Sequence, residues 1–374
     1  MKIGFDAKRA YFNSTGLGNY SRDTIRVLAS HFSENEYHLY SPKITDNERL
    51  KFLDNLSNCY SHAPIGFLNN TFSSYWRSVN MKHDLVEENI DLFHGLSHEL
   101  PLGIQNTKVK SIVSIHDLIA MRFPQYFSYF DRISYIKKAR YACNVADKII
   151  AVSHQTKEDI IRFFMINEEK IEVVYQGCNV IFQKKHTEKF KNEISKRFNL
   201  PQDYLLYVGT IEERKNLLTL LKCIKELPSY HLVVVGSGKA YKNKCLQYIQ
   251  RHKLENQITF LSQLDLAEMS AIYQTARLLI YPSFFEGFGI PILEALFSEI
   301  PVITTKGGCF SEAGGPSSSY INPNNIDEMK KEIIDISSNN ERREKMIQNG
   351  LLHAQQFTDE NISKRLMSVY NSVV

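Results

Sequence analysis

The chain has 374 residues, enough for two domains at about 150 residues each, and 45 basic against 41 acidic side chains leave a net charge of only +4. So small and dispersed a charge argues against a nucleic-acid protein, which needs a concentrated basic face, while 43% hydrophobic and 23% charged residues exclude disorder as the main state. The six cysteines, Cys59, Cys143, Cys178, Cys223, Cys245 and Cys309, are scattered without a C-x-x-C pair, which argues against zinc or iron–sulfur ligation and a disulfide framework.

The opening run from Met1 to Asp6 reads as a strand with no basic-then-apolar leader before it. No apolar run approaches the ~20 residues needed to span a bilayer, so a cytoplasmic α/β enzyme of two domains is expected. Further strands are predicted over 37–40, 92–94, 111–115, 148–152 and 171–174, with helical spacing over 20–32 and 130–146. Alternation of this kind implies βαβ units and a parallel sheet. Trp76, the single tryptophan, is expected in the core, and Arg132, Lys137, Lys138 and Arg140 on a solvated helix face able to meet anionic lipid head groups.

Residues 183–199 are polar and charge-dense and read as a linker with a lead-in helix, dividing 1–182 from 200–357. The second half repeats the pattern, with near-continuous apolar strands over 204–209, 231–236, 258–260, 278–281 and 302–304. Helices are predicted over 217–227, 242–252, 265–276 and 291–297. The final segment, 358–374, has helical spacing at Ile362, Leu366, Met367 and Tyr370 and must pack on something already formed. Open α/β sheets bind ligands beyond the carboxyl ends of their strands, so function is expected on the loops that follow them.

The densest constellation there runs from Glu286 through Gly287, Phe288, Gly289 and Ile290 to Glu294. Its glycines leave amides bare at a helix entrance, where anionic or strongly polar groups are favoured. Two carboxylates spaced in this way can each hold vicinal hydroxyls on different parts of one extended ligand. Arg214 and Lys215 follow a strand and the Gly209-Thr210 turn, and adjacent cations can offset a diphosphate without a metal. His116, with Asp117 beside it, ends a first-domain strand, and His94 and His98 end another. Gly16 and Gly18 lie between the first strand and first helix, and Gly236 with Gly238 ends a later strand. A dinucleotide oxidoreductase, which two Rossmann-like halves would also suit, requires G-x-G-x-x-G directly after the first strand. Here only Gly16 and Gly18 are present, late in the loop.

The Glu286–Glu294 segment resembles the E-x7-E signature of the retaining glycosyltransferases of family 4. Tyr207 to Asn216 is similar to the family's donor-phosphate segment, Ser114 to Leu118 to its histidine loop, and Ala146 to Ser153 to its next strand. Gly307 through Pro323 also fits, so the likeness covers nearly the whole chain. The resemblance implies a GT-B fold of two Rossmann-like, doubly wound domains facing a central cleft, with 358–374 crossing back to the first. It further implies a metal-independent hexosyltransferase without a cofactor. Arg214 and Lys215 would hold the donor diphosphate, Glu294 the ribose and Glu286 the sugar hydroxyls, supported by Gly209, Gly236 and the amides from Gly287 to Ile290. Glu286, His116, Arg214 and Lys215 would be the catalytic residues, with His116 beside the transferred sugar, and His116, Asp117, His94, Gly16 and Gly18 would lie on the acceptor side. Thr15 stands where the family usually has glycine. The expected partners are GDP-mannose or a UDP-hexose and a glycan or lipid-linked acceptor, with peripheral contact at the inner membrane. A catalytically silent relative is disfavoured because Arg214, Lys215, Glu286, Glu294 and His116 are all present.

Overall fold

Strands separated by amphipathic helices can run parallel only through crossovers, which bury both faces of the sheet. The computed structural model describes residues 1–66, 69 and 71–374. It divides into two units, Met1–Gly177 with Asp359–Val374, and Cys178–Thr358.

The first unit holds β1 (Lys2–Asp6), β2 (Glu36–Tyr40), β3 (Cys59–His62), β4 (Leu92–Gly95), β5 (Lys110–Ile115), β6 (Lys148–Ala151) and β7 (Ile171–Val173). All pair in parallel, in the order β3-β2-β1-β4-β5-β6-β7. Ile3 pairs with Leu92 and Phe5 with His94, so β1 and β4 are neighbours. Trp76 is fully buried among Met81, Phe93 and Val113, and its indole N–H donates to Asp84 at 2.7 Å.

The second unit holds β8 (Leu205–Val208), β9 (Leu232–Val235), β10 (Ile258–Leu261), β11 (Leu278–Tyr281), β12 (Val302–Thr305) and β13 (Ser319–Ile321). Their order is β10-β9-β8-β11-β12-β13, again all parallel. Counted from the unit's first strand this is 3-2-1-4-5-6, the Rossmann order, with its reversal between β8 and β11. The corresponding reversal in the first unit falls between β1 and β4. Each reversal opens a crevice beyond the strand ends, where ligands of such sheets bind.

Residues 183–199, expected as a linker, differ from that reading. The chain leaves the first unit after Gly177, and helix Glu188–Arg197 packs in the second unit against helix Leu266–Thr275. Ile194 is buried there and Arg197 pairs with Glu268. The segment is charge-dense because one face of this helix is solvated, not because it is unpacked. The last helix, Asp359–Asn371, belongs to the first unit, where it packs on helix Gly16–His31. Arg26 meets Asp359 at 2.7 Å across that pair.

Candidate functional site

In the second unit, β8 delivers the chain to Gly209 and a single 3-10 turn, Glu213–Lys215. Its neighbour β11 delivers it to Ser283 and the loop carrying Glu286. Because the two strands flank the sheet's reversal, Arg214, Lys215 and Glu286 converge. Glu286 Oε1 accepts from Lys215 Nζ at 2.8 Å and lies 2.8 Å from Arg214 Nη1. Lys215 also donates to the Tyr281 hydroxyl at 2.8 Å, and Arg214 pairs with Glu212 and the Phe285 carbonyl. Lys215 and Glu286 are buried.

Burial alone would push the Glu286 carboxyl up. The Lys215 and Arg214 cations outweigh it and bring the group down to about 2. Burial works to lower Arg214, and Glu286 and Glu212 overcome that and raise it. The cluster therefore holds two cations and an ionised carboxylate within one low-dielectric spot, where charged hydrogen bonds are strong.

The flanking backbone is shaped for close approach. A Cβ on Gly236 would stand 2.0 Å from the Gly209 carbonyl oxygen, so that pair of loops admits only glycine there. Gly289, with φ +116°, enters helix Ile290–Phe297, which has Pro291 in its first turn. Phe288 is buried, its ring centroid 5.6 Å from that of Phe357. Glu294 lies four residues into that helix, about 6 Å along its axis, and accepts from the Tyr273 hydroxyl at 2.7 Å.

In the first unit, the loops after β4 and β5 carry a stacked pair of histidines, His98 and His116, with ring centroids 5.2 Å apart. His116 Nε2 faces the Leu96 carbonyl at 2.8 Å and so carries the proton; Gln176 donates to Nδ1 at 3.0 Å. The His116 backbone N–H donates to His98 Nε2 at 3.0 Å, which places the His98 proton on Nδ1, bonded to Tyr135 at 2.9 Å. Burial drives His116 down to about 4, against the raising effect of the Leu96 carbonyl and with Arg9 adding to the fall, so the ring is neutral. Asp117 accepts from the Ile119 N–H at 3.0 Å and caps the next turn.

His94 departs from its expected place on the acceptor side. It is fully buried, with Nδ1 bonded to the Tyr370 hydroxyl at 2.6 Å and Nε2 to Ser114 at 2.8 Å. Ser114 bonds onward to Tyr20 at 2.7 Å. The ring ties the last helix to β4, and burial holds it down to about 3. Thr15 needs no glycine: its backbone is extended (φ −103°, ψ −170°) and it precedes helix Gly16–His31. The position that does need glycine is Gly18, whose Cβ would fall 1.9 Å from the Asn13 carbonyl oxygen. Gly16 has open space around it.

Sequence reading missed Tyr281, Tyr273 and Glu212 in the second unit, and Tyr20, Tyr135, Ser114, Gln176 and Tyr370 in the first. The tyrosines sit inside apolar or helical runs where a buried ring is indistinguishable from core. Glu212 stood two residues from Arg214, which is a usable signal. Of the four cations on helix Tyr129–Val145, Arg132 lies over Tyr129, Lys138 pairs with Glu99 at 3.3 Å and Arg140 lies over Phe164.

The family model described as "Glycosyl transferases group 1" matches residues 188–353, and "Glycosyltransferase Family 4" matches 14–181. Among curated relatives, O-antigen chain mannosyltransferase B of Escherichia coli is 26% identical over 390 residues, covering 99% of this chain and 99% of that protein. The Salmonella typhimurium O-antigen chain mannosyltransferase RfbU is 28% identical over 254 residues, 67% of this chain and 65% of that one. Among solved structures, sucrose-phosphate synthase from Thermosynechococcus elongatus superposes with TM-score 0.78 at 18% identity, over 100% of this chain and 98% of that one. Anabaena HepE in complex with UDP-glucose gives TM-score 0.77 at 16% identity, over 100% of both. These structural likenesses establish the GT-B fold, built of two Rossmann-like units.

Proposed function

The chain belongs to the family 4 glycosyltransferases, and from that premise we propose a retaining, metal-independent hexosyl transfer. The donor is a nucleotide diphosphate sugar, GDP-mannose first and a UDP-hexose next. The acceptor is a hydroxyl of a glycan or lipid-linked saccharide in surface-polysaccharide assembly. The mannosyltransferase relatives in O-antigen chains support the sugar and the pathway class, and the UDP-glucose complex of the Anabaena protein supports the donor class.

One observation carries the reading: Arg214, Lys215 and Glu286 meet in a single buried cluster at the β8/β11 reversal. Paired cations match the charge of a departing diphosphate, so the leaving group needs no metal to be neutralised. Glu286, ionised down to about pH 2, can hold sugar hydroxyls and face positive charge developing at the anomeric carbon. Glu294 takes the ribose. Catalysis is then electrostatic and positional, favouring the separated diphosphate and oxocarbenium-like sugar over the intact donor. On the acceptor side, His116 has its N–H committed to Leu96, so we assign it to holding the loop rather than to proton transfer. Peripheral membrane contact falls to helix Tyr129–Val145.

Lys215→Ala should reduce transfer by at least a thousandfold and abolish the rise in melting temperature that GDP or UDP gives without metal. Metal-free melts of both proteins, with turnover of GDP-mannose and UDP-hexoses, check this. Wild-type turnover by the variant would remove the mechanism.

A further inference from the structure

Lys215 is held by more than its carboxylate. An ammonium has three N–H donors; one goes to Glu286 Oε1 and a second to the Tyr281 hydroxyl, both at 2.8 Å. The same ammonium lies 5.0 Å from the centroid of the Tyr281 ring, so it stands at the hydroxyl edge of the ring and meets it through the oxygen. Tyr281 is itself fixed. It ends β11, its carbonyl accepts from Thr304 at 2.9 Å, and its ring packs edge-on against Phe310 at 6.4 Å. On the same distal half of the lysine stem, a Cβ on Gly209 would stand 2.8 Å from Lys215 Cδ and 3.3 Å from Cε, so the stem runs closely over that glycine. The distal half of a long flexible side chain is thus confined, which removes in advance part of the rotamer freedom it would lose on meeting a ligand.

The ring of Tyr281 would serve the core equally well as phenylalanine. Its hydroxyl has no such use, because its partner is a charged side chain of the donor cluster. We propose that Tyr281 is a positioning residue for the transfer: its phenol fixes the Lys215 ammonium beside Glu286 and leaves the third N–H for the donor's diphosphate. This rests on the donor reading given above.

Tyr281→Phe keeps the ring and removes the hydroxyl; Tyr281→Leu removes both. The intact chain and each variant, with Lys215→Ala alongside, are titrated calorimetrically with GDP and UDP, and with guanosine and uridine as phosphate-free controls. Tyr281→Phe should melt within a few degrees of wild type yet bind the preferred diphosphate about tenfold more weakly. Nucleoside affinity should be unchanged, and KM for the nucleotide sugar should rise in step. Tyr281→Leu should lose at least as much, since it lacks the hydroxyl and also the ring that packs against Phe310. Wild-type diphosphate affinity in Tyr281→Phe would overturn the proposal, as would an equal loss for nucleoside and diphosphate, which marks a merely structural role. If Lys215→Ala retains full diphosphate affinity, or the wild-type chain binds neither nucleotide, the donor reading itself falls. If Lys215→Ala loses affinity while Tyr281→Phe keeps it, only the role of Tyr281 falls.

Discussion

Glu286 shows how one side chain can serve function and fold together. Its carboxyl lies at about 2 in the folded chain against an ordinary 4.5, so the ionised form is favoured by folding. The stabilisation is fully present above pH 4.5 and disappears as pH falls toward 2, amounting to roughly 3 kcal/mol. Glu286→Gln removes that term and leaves Lys215 and Arg214 facing a neutral amide, which is costly for buried cations. Urea melts at pH 7 should find the variant less stable by about this amount, with the gap to wild type narrowing below pH 4.5. Parallel stability curves through acid would show that the carboxylate is not paired as described. At this scale Arg214, Lys215 and Glu286 stood out in the sequence because they fall in post-strand segments that resemble the family's, whereas Glu212 beside them did not. Tyr281 did not either, since it closes the apolar run Leu278–Tyr281 and reads as strand. His94 was misread in the opposite sense: a histidine at a strand end looks ligand-facing, and only the distant Tyr370 reveals that it is packed.

Whole elements were legible where burial forces a pattern. The central strands of both sheets are covered on two faces and show as apolar runs, and each was placed within a residue or two. The edge strands β3 and β13 were missed because an edge needs no such run; Cys59–His62 is half exposed and polar, and Ser319–Ile321 has only three residues. Helix Tyr129–Val145 was found from its spacing, but its surface was only half read. The notable feature is an exposed aromatic step at its start, with Phe127 at 39%, Tyr129 at 63% and Phe130 at 82% exposure. With three of the four neighbouring cations engaged, Lys137 has no ion pair among the described residues. Exposed aromatics beside cations suit the interfacial layer of an anionic bilayer. The double variant Tyr129→Ser with Phe130→Ser should sediment with phosphatidylglycerol-containing vesicles about tenfold less than wild type. Pure phosphatidylcholine should retain little of either protein. Equal sedimentation of the two would assign the aromatics no membrane role. Among the described residues no helix is long and apolar enough to cross a membrane.

The two units are built from one chain in different ways, and this decides what can be cut from it. The first unit needs both termini: β1 lies in the middle of its sheet, and Asp359–Asn371 closes its surface through Arg26, Asp359 and the His94–Tyr370 bond. Truncation before Asp359 would strip Ile362, Leu366, Met367 and Tyr370 from the unit, all of them buried. The second unit is continuous from Cys178 to Thr358. It contains its own core, from Leu205 and Tyr207 through Ile333 and Met346. Arg214, Lys215, Tyr281, Glu286 and Glu294 all fall within it. Residues 178–358 expressed alone should therefore fold and keep the proposed nucleotide affinity, with GDP or UDP raising the melting temperature without metal. Residues 1–358 should instead show a first unit that melts early or not cooperatively, beside a second unit that still responds to nucleotide. Calorimetric scans with and without nucleotide distinguish these cases. A folded 178–358 fragment indifferent to either nucleotide would mean that the donor site is not confined to the Rossmann unit carrying the cations, and that the first unit supplies part of it.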